Sequence, residues 1–237
     1  MGLIYEYLTY DGVSSDDFRV RISGSGTYDR PQRDVEAKQI PGRNGDLHID
    51  NGRYNNVKIT YPAYITEDFE QNYAAFAAFL FSKRGYKKLE DSYHPEHYRR
   101  AACPESLNPK MSTRNLAGSF DITFDCDPRR FLKTGDEAVE ISSGGSINNP
   151  TLYTAQPLIR VYGTGTLTIG GVTVTISAAN VYTDIDCEIM DAYKGSTNCN
   201  SNLTLNNSKF PELAPGLNTV TYTGFSKVEI TPRWWTI

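Results

Sequence analysis

Residues 40–65 read Ile-Pro-Gly-Arg-Asn-Gly-Asp-Leu-His-Ile-Asp-Asn-Gly-Arg-Tyr-Asn-Asn-Val-Lys-Ile-Thr-Tyr-Pro-Ala-Tyr-Ile. Two Asn-Gly steps, Asn44-Gly45 and Asn51-Gly52, supply the left-handed backbone that tight hairpin turns require. Around them Leu47 and Ile49, then Val57, Ile59 and Tyr61, alternate with polar residues at the period of strands that bury one face. The block predicts a hairpin ribbon.

The rest of the composition agrees with sheet. At 237 residues the chain fits one large or two small domains. Tyr 16 and Phe 10 against Met 3 favour strands over a helical bundle, so the fold class expected is mostly β. A net charge of -4 argues against a nucleic-acid binder, which would carry a basic patch to neutralise phosphates. The start, Met1-Gly2-Leu3-Ile4-Tyr5-Glu6, has neither a basic n-region nor an apolar run, and Glu6 removes the myristoylation pattern. No stretch approaches the ~20 apolar residues of a membrane span. These features predict synthesis in a cytoplasm and no membrane partner. Cys103, Cys126, Cys187 and Cys199 have no Cys-x-x-Cys spacing and read as reduced thiols.

A helix is expected over 67–82. Phe69, Tyr73, Phe76 and Leu80 recur at helical spacing, alanines fill the gaps, Thr66 is the cap, and Lys83, Arg84 and Gly85 form the stop. Strands are expected at 4–8, 18–22 and 34–40 before it. After it, 86–100 reads as polar and irregular, and 116–126 as a strand with Phe120, Ile122, Phe124 and Cys126 on one face. Between 127 and 157, Gly, Ser, Asn and Pro predict a linker, with domains at 1–148 and 149–237. Strands at 158–162, 166–169, 172–176, 182–187, 219–222 and 228–230, with a polar loop or short edge strands over 194–208, predict a jelly-roll sandwich.

The Pro41-Gly-Arg-Asn-Gly45 opening and the Asn51-Gly-Arg-Tyr54 turn resemble the N-terminal domain of siphophage distal tail proteins. The post-helical stretch 85–99 and the exit Phe120-Asp-Ile-Thr-Phe-Asp-Cys-Asp-Pro128 are similar to the same domain. Asn149-Pro-Thr151, Thr183-Asp-Ile-Asp-Cys-Glu188, Phe210-Pro-Glu-Leu-Ala-Pro-Gly-Leu-Asn218 and Val228-Glu-Ile-Thr-Pro-Arg-Trp-Trp235 resemble its galectin-like C-terminal domain. The resemblance implies an α+β N-terminal domain with a barrel-like sheet, one helix and a hairpin arm. It implies a virion protein at the tail tip, a hexameric hub ring joining the tail tube protein to the tail-associated lysin or fibre protein and the receptor-binding protein. DNA would pass through the ring without being bound. Ring-assembly candidates are Arg43, Asn44, Gly45, Asn51, Gly52 and Tyr54. The C-terminal half lacks a long insertion, so no extra carbohydrate-binding module is expected.

Chemical motifs are sparse. His94-Pro-Glu-His97 has the wrong spacing for a zincin pair and Pro95 breaks the helix such a pair needs, so a surface loop and no metal are expected. His48 reads as a solvent-side strand residue. Asp184, Asp186 and Glu188 alternate with Ile185, Cys187 and Ile189, which reads as a solvated strand face. No nucleophile elbow or phosphate loop is present, and Gly163-Thr-Gly165 lacks the third glycine of a dinucleotide fingerprint, so neither enzyme chemistry nor a cofactor is expected. The competing reading is an adhesion module recognising cell-surface glycans, with Trp234 and Trp235 as stacking candidates.

Overall fold

The structure, a computed structural model, describes residues 6–23, 28–103, 105–113, 115–179 and 181–237. The chain forms two compact units, Met1–Arg130 with Ile237, and Phe131–Thr236.

The first unit contains β1 (Leu8–Tyr10), β2 (Val13–Ser14), β3 (Arg21–Ile22), β4 (Arg33–Lys38), β5 (Leu47–Tyr54), β6 (Val57–Ile65), α1 (Phe69–Ser82), β7 (Lys87–Asp91), β8 (His97–Ala102), β9 (Lys110–Thr113) and β10 (Ala117–Leu132). Its main sheet has the order β2-β1-β7-β8-β10-β6-β3, with β9 also on β10. Just before β1, Glu6 bridges to Ile22, whose N–H donates to the Glu6 carbonyl at 2.9 Å. The two ends of the order thus meet, and the sheet closes on itself as a barrel. The predicted strand at 4–8 lies partly outside the described residues.

Alternation drives the central pair. Val57, Ile59, Tyr61, Ala63 and Ile65 of β6 point inward and meet Phe120, Ile122, Phe124 and Cys126 of β10, with Ile122 opposite Tyr61 and Phe124 opposite Ile59. Each Val, Ile or Phe among them contributes ~1.5–3 kcal/mol on burial. Onto this layer α1 lays Phe69, Phe76 and Leu80, while Tyr73 meets Phe120 edge-on at 5.1 Å. The aromatic stripe is as expected, but Thr66 is not the cap. Asp68, in left-handed backbone, is the N-cap without a side-chain bond, and the first amides of the helix are satisfied from a distant loop. Phe69 N–H donates to the Asn115 carbonyl (3.2 Å) and Glu70 N–H to Asn115 Oδ1 (3.0 Å). This end of the helix is tightly seated. A Cβ at Gly118 would stand 2.4 Å from the buried Phe69 ring. Gly118→Ala is therefore expected to cost about 1–3 kcal/mol, read as a lowered denaturant midpoint with unchanged m.

Residues 86–100 are not irregular. They form the β7–β8 hairpin, pairing Lys87 with Ala101 and Leu89 with Arg99. Leu89 and Ala101 lie on the core face together with a buried Arg99, while Tyr98 is buried on the opposite face, so a charged residue on the core face hid the period.

The second unit contains β11 (Val139–Glu140), β12 (Gly145–Asn149), β13 (Leu158–Tyr162), β14 (Gly165–Ile169), β15 (Val172–Ile176), β16 (Tyr182–Asp186), β17 (Asp191–Lys194), β18 (Thr197–Asn198), β19 (Leu203–Leu205), β20 (Gly216–Thr223), β21 (Lys227–Thr231) and β22 (Trp235–Thr236). Two antiparallel sheets, β11-β21-β13-β16-β17-β18 and β12-β20-β14-β15-β19, form the sandwich. Ile159, Val161 and Ile185 from one and Leu167, Val174 and Val220 from the other fill its core. Every C-terminal strand expected from alternation is present. The expected linker is not: β11 pairs β21, β12 pairs β20, and Ile141 and Ile147 are buried. Two isoleucines among Ser and Gly suffice to anchor this segment, and the units divide at Arg130/Phe131 rather than at residue 149.

Candidate assembly surface

β4 and β5 pair with each other in a sheet of their own. The arm therefore runs from 33 to 54, with Lys38 opposite Leu47, Glu36 opposite Ile49 and Val35 opposite Asp50. It does not include β6, which belongs to the barrel. At the tip, Gly42 and Gly45 both have φ +80°, Arg43 N–H donates to the Ile40 carbonyl (3.1 Å), and Arg43 and Asn44 are exposed.

Asn51-Gly52 is a bulge, not a turn. Between the Val35/Asp50 and Arg33/Tyr54 pairs, residues 51–53 face Asp34 alone, and Gly52 takes φ +72° with its N–H on Asp50 Oδ1 at 2.8 Å. Two extra residues in one strand need a left-handed position to be accommodated, and Gly52 supplies it. Ion pairs straddle the bulge: Arg33–Asp50 at 2.6 Å and Arg53–Asp34 at 2.6 Å, with the Arg33 guanidinium also 5.1 Å over the Tyr54 ring. The Gly52 amide, then Arg33, hold the Asp50 carboxyl below the usual range. Exposed pairs add little stability, so their role is to fix the bulge geometry. Arg33, Asp34, Asp50 and Arg53 were not singled out from sequence, although Arg33-Asp34 opposite Asp50…Arg53 is a legible antiparallel charge match.

The arm buries neither face within its own unit. Leu47 and Ile49 lie on one face with Lys38 and Glu36, while Val35, Ala37 and His48 lie on the other, and Val35, Leu47 and Ile49 are 38–40% exposed. Exposed apolar side chains on a ribbon whose edges are unpaired among the described residues form a surface suited to another chain. Arg43, at the exposed tip, is the expected first tryptic cut, with the 133–149 segment spared; mass analysis of early fragments checks this.

The other sequence-derived candidates are placed differently. Trp234 is buried in the second unit's core, and Trp235 stacks on Tyr153 at 4.4 Å while its Nε1–H donates to the Thr154 carbonyl at 3.0 Å. Trp234 is therefore withdrawn from any surface contact, and one face of the half-buried Trp235 ring is taken by Tyr153. A cleft of about 720 Å³ lies elsewhere, lined by Tyr182, Lys194, Asn198 and Asn202, but the Tyr182 ring already takes Arg160 at 4.4 Å and Lys194 at 5.3 Å.

The supposed solvated face of β16 is buried. Asp184 and Asp186 are 4% and 5% exposed, and each is consumed by a bidentate arginine. Arg160 binds Asp184 (2.6 and 2.9 Å), and Arg233 binds Asp186 (2.7 and 2.8 Å) while reaching Glu188 at 3.3 Å. His94 is part of a half-buried turn, not an open loop, with Nδ1 3.0 Å from Asp91. Burial pushes the Cys103 and Cys126 thiols up, to about 11 and about 12, which leaves them protonated near neutral pH. Of the basic residues after α1, Lys83 pairs with Asp11 at 2.8 Å, Lys88 lies 4.3 Å over the Tyr98 ring, Arg84 is exposed and Lys87 half-buried.

Residues 9–126 match the family model of the phage tail protein RIFT-related domain. The whole fold is similar to the crystal structure of the Dit protein of phage SPP1, described as a paradigm of the hub adsorption apparatus of phages infecting Gram-positive bacteria. That match has a TM-score of 0.74 at 15% identity and covers 99% of this chain and 100% of that one. A chain of the phage p2 baseplate, in its activated conformation with Sr, is similar at TM-score 0.53 and 14% identity, covering 97% of both. No curated protein matches the sequence. Residues 9–126 thus carry a phage tail protein RIFT-related domain, and from end to end the chain has the fold of these two phage tail and baseplate proteins.

Proposed function

We propose that this chain is a structural, non-enzymatic hub of a siphophage tail tip, in which the arm of one subunit docks on the next to close a hexameric ring. The observation that carries this reading is the β4–β5 ribbon, whose edges are unpaired among the described residues and whose apolar side chains are exposed on both faces. A neighbouring copy pairing an edge and covering Val35, Leu47 and Ile49 removes that apolar area from water, and a repeated head-to-tail contact closes when its rotation divides the circle. The similarity to the Dit protein of SPP1 supports the hub reading. In this reading the ring joins the tail tube protein to the tail-associated lysin or fibre protein and carries the receptor-binding protein, and DNA passes through unbound.

Negative-stain images and light scattering test it. Annuli of about six subunits are the expected result. A strict monomer at high micromolar concentration that forms no ring with tail-tube partner added would overturn the proposal.

A further inference from the structure

The first unit holds a polar cluster that its assembly role does not use. Tyr61 of β6, Asp91 at the end of β7, His94 in the following turn, His97 and Arg99 of β8 and Arg130 of β10 converge on one small cavity. Arg99 is 8% and Arg130 9% exposed, so both guanidiniums have left most of their water. Asp91 is the one carboxylate among the described residues lining the cavity, and its oxygens are already taken: Tyr61 O–H donates at 2.7 Å, His94 N–H at 2.8 Å, and His94 Nδ1 lies at 3.0 Å. Arg99 Nη1 is buried and has no hydrogen-bond partner among the described residues, and neither has His94 Nε2.

The charge does not balance. Arginine stays protonated in proteins, so its charge must be met by a partner rather than by loss of a proton. Burial, and then repulsion among Arg99, Arg130 and the nearby Arg30, push Arg130 below the usual arginine range. A water could accept from Arg99 Nη1, but it would leave two buried cations facing one carboxylate. The free space is about 10 Å³, room for the centre of one water-sized group and too little for a phosphate or sulfate.

We propose that Arg99 and Arg130 hold one small monovalent anion in this cavity, a halide or a single carboxylate group entering by one oxygen. The ion comes from solution or as an acidic side chain of a neighbouring chain; the site itself does not depend on the ring. Thermal unfolding of the purified chain at constant ionic strength, with methanesulfonate progressively replaced by bromide, tests it. Bromide should raise Tm by about 4 °C at roughly tenfold excess over its Kd. Arg99→Met and Arg130→Met should each abolish the rise. An equal rise in both variants, or none in the native chain, overturns the site. Should a variant fail to fold, crystals of the native chain soaked in bromide decide: an anomalous peak between the two guanidiniums supports the site, and an ordinary water there overturns it. Once the site is established, repeating the titration on assembled oligomers identifies the source. A persisting rise assigns a free ion, and its loss on assembly assigns a neighbour's carboxylate.

Discussion

Replacing Arg233 by alanine is expected to remove about 3–5 kcal/mol from the stability of the second unit, because it strands the 95% buried Asp186 carboxylate without its bidentate partner. Arg233 also reaches Glu188, and it sits in left-handed backbone at φ 58°, a conformation that a non-glycine residue holds when its surroundings fix it. Its N–H donates to the Gly135 carbonyl at 2.8 Å, so both ends of the residue are tied down. A fall of more than about 10 °C in the unfolding of this unit is expected by calorimetry. A fall under about 2 °C would show that the pair is dispensable.

The pH dependence gives an independent readout. Burial alone would raise the Asp186 pKa, but the Arg233 hydrogen bonds and charge outweigh it and hold the carboxyl below the usual range. A depressed folded pKa contributes stability above the unfolded value, and that contribution is lost as pH falls through the folded pKa. In Arg233→Ala burial is opposed only by the Glu188 and Ile189 amides, so the Asp186 pKa rises toward or past the unfolded value and the stability that the carboxylate gives above it is reduced or lost. The gap in Tm between native chain and variant should therefore narrow as pH is lowered toward about 4.

If the proposed ring forms through the arm, excising 34–53 and joining Arg33 to Tyr54 through two glycines is expected to abolish it while leaving the barrel folded. Arg33 and Tyr54 are cross-strand partners, so a short link spans them without moving the base. No buried core side chain of the first unit lies between them. Far-UV circular dichroism and Tm close to the native values, together with the monomer mass by light scattering, are the expected results. Rings that persist in this variant would place the subunit contact elsewhere on the barrel. Leu47→Glu with Ile49→Glu should weaken assembly in the same direction by putting charge on one apolar face of the arm.

What could be read from the sequence was whatever depends on neighbours along the chain. Phe120, Ile122, Phe124 and Cys126 alternate because β10 buries one face, and the α1 aromatics recur because a helix brings residues three and four apart together. The C-terminal strands announced themselves in the same way, between Gly-rich turns. The arm was half legible: its exposed alternation was visible, but only pairing decides register. Asn51-Gly52 has the same backbone preference in a turn as in a bulge, and Asp34 across the ladder made it a bulge.

The tertiary structure alone decided where charge ends up. Asp184 and Asp186 look like a wet strand face until Arg160 and Arg233, 24 and 47 residues away, cover them. The β7–β8 hairpin was invisible because Arg99 occupies an inward position that a local pattern reserves for apolar groups. The 133–149 segment read as a linker because its two anchoring isoleucines are outnumbered locally and find their partners across the sandwich. Periodicity reports a residue's own preference for water, whereas burial of a charge depends on a counter-charge brought from elsewhere, which no window of sequence contains.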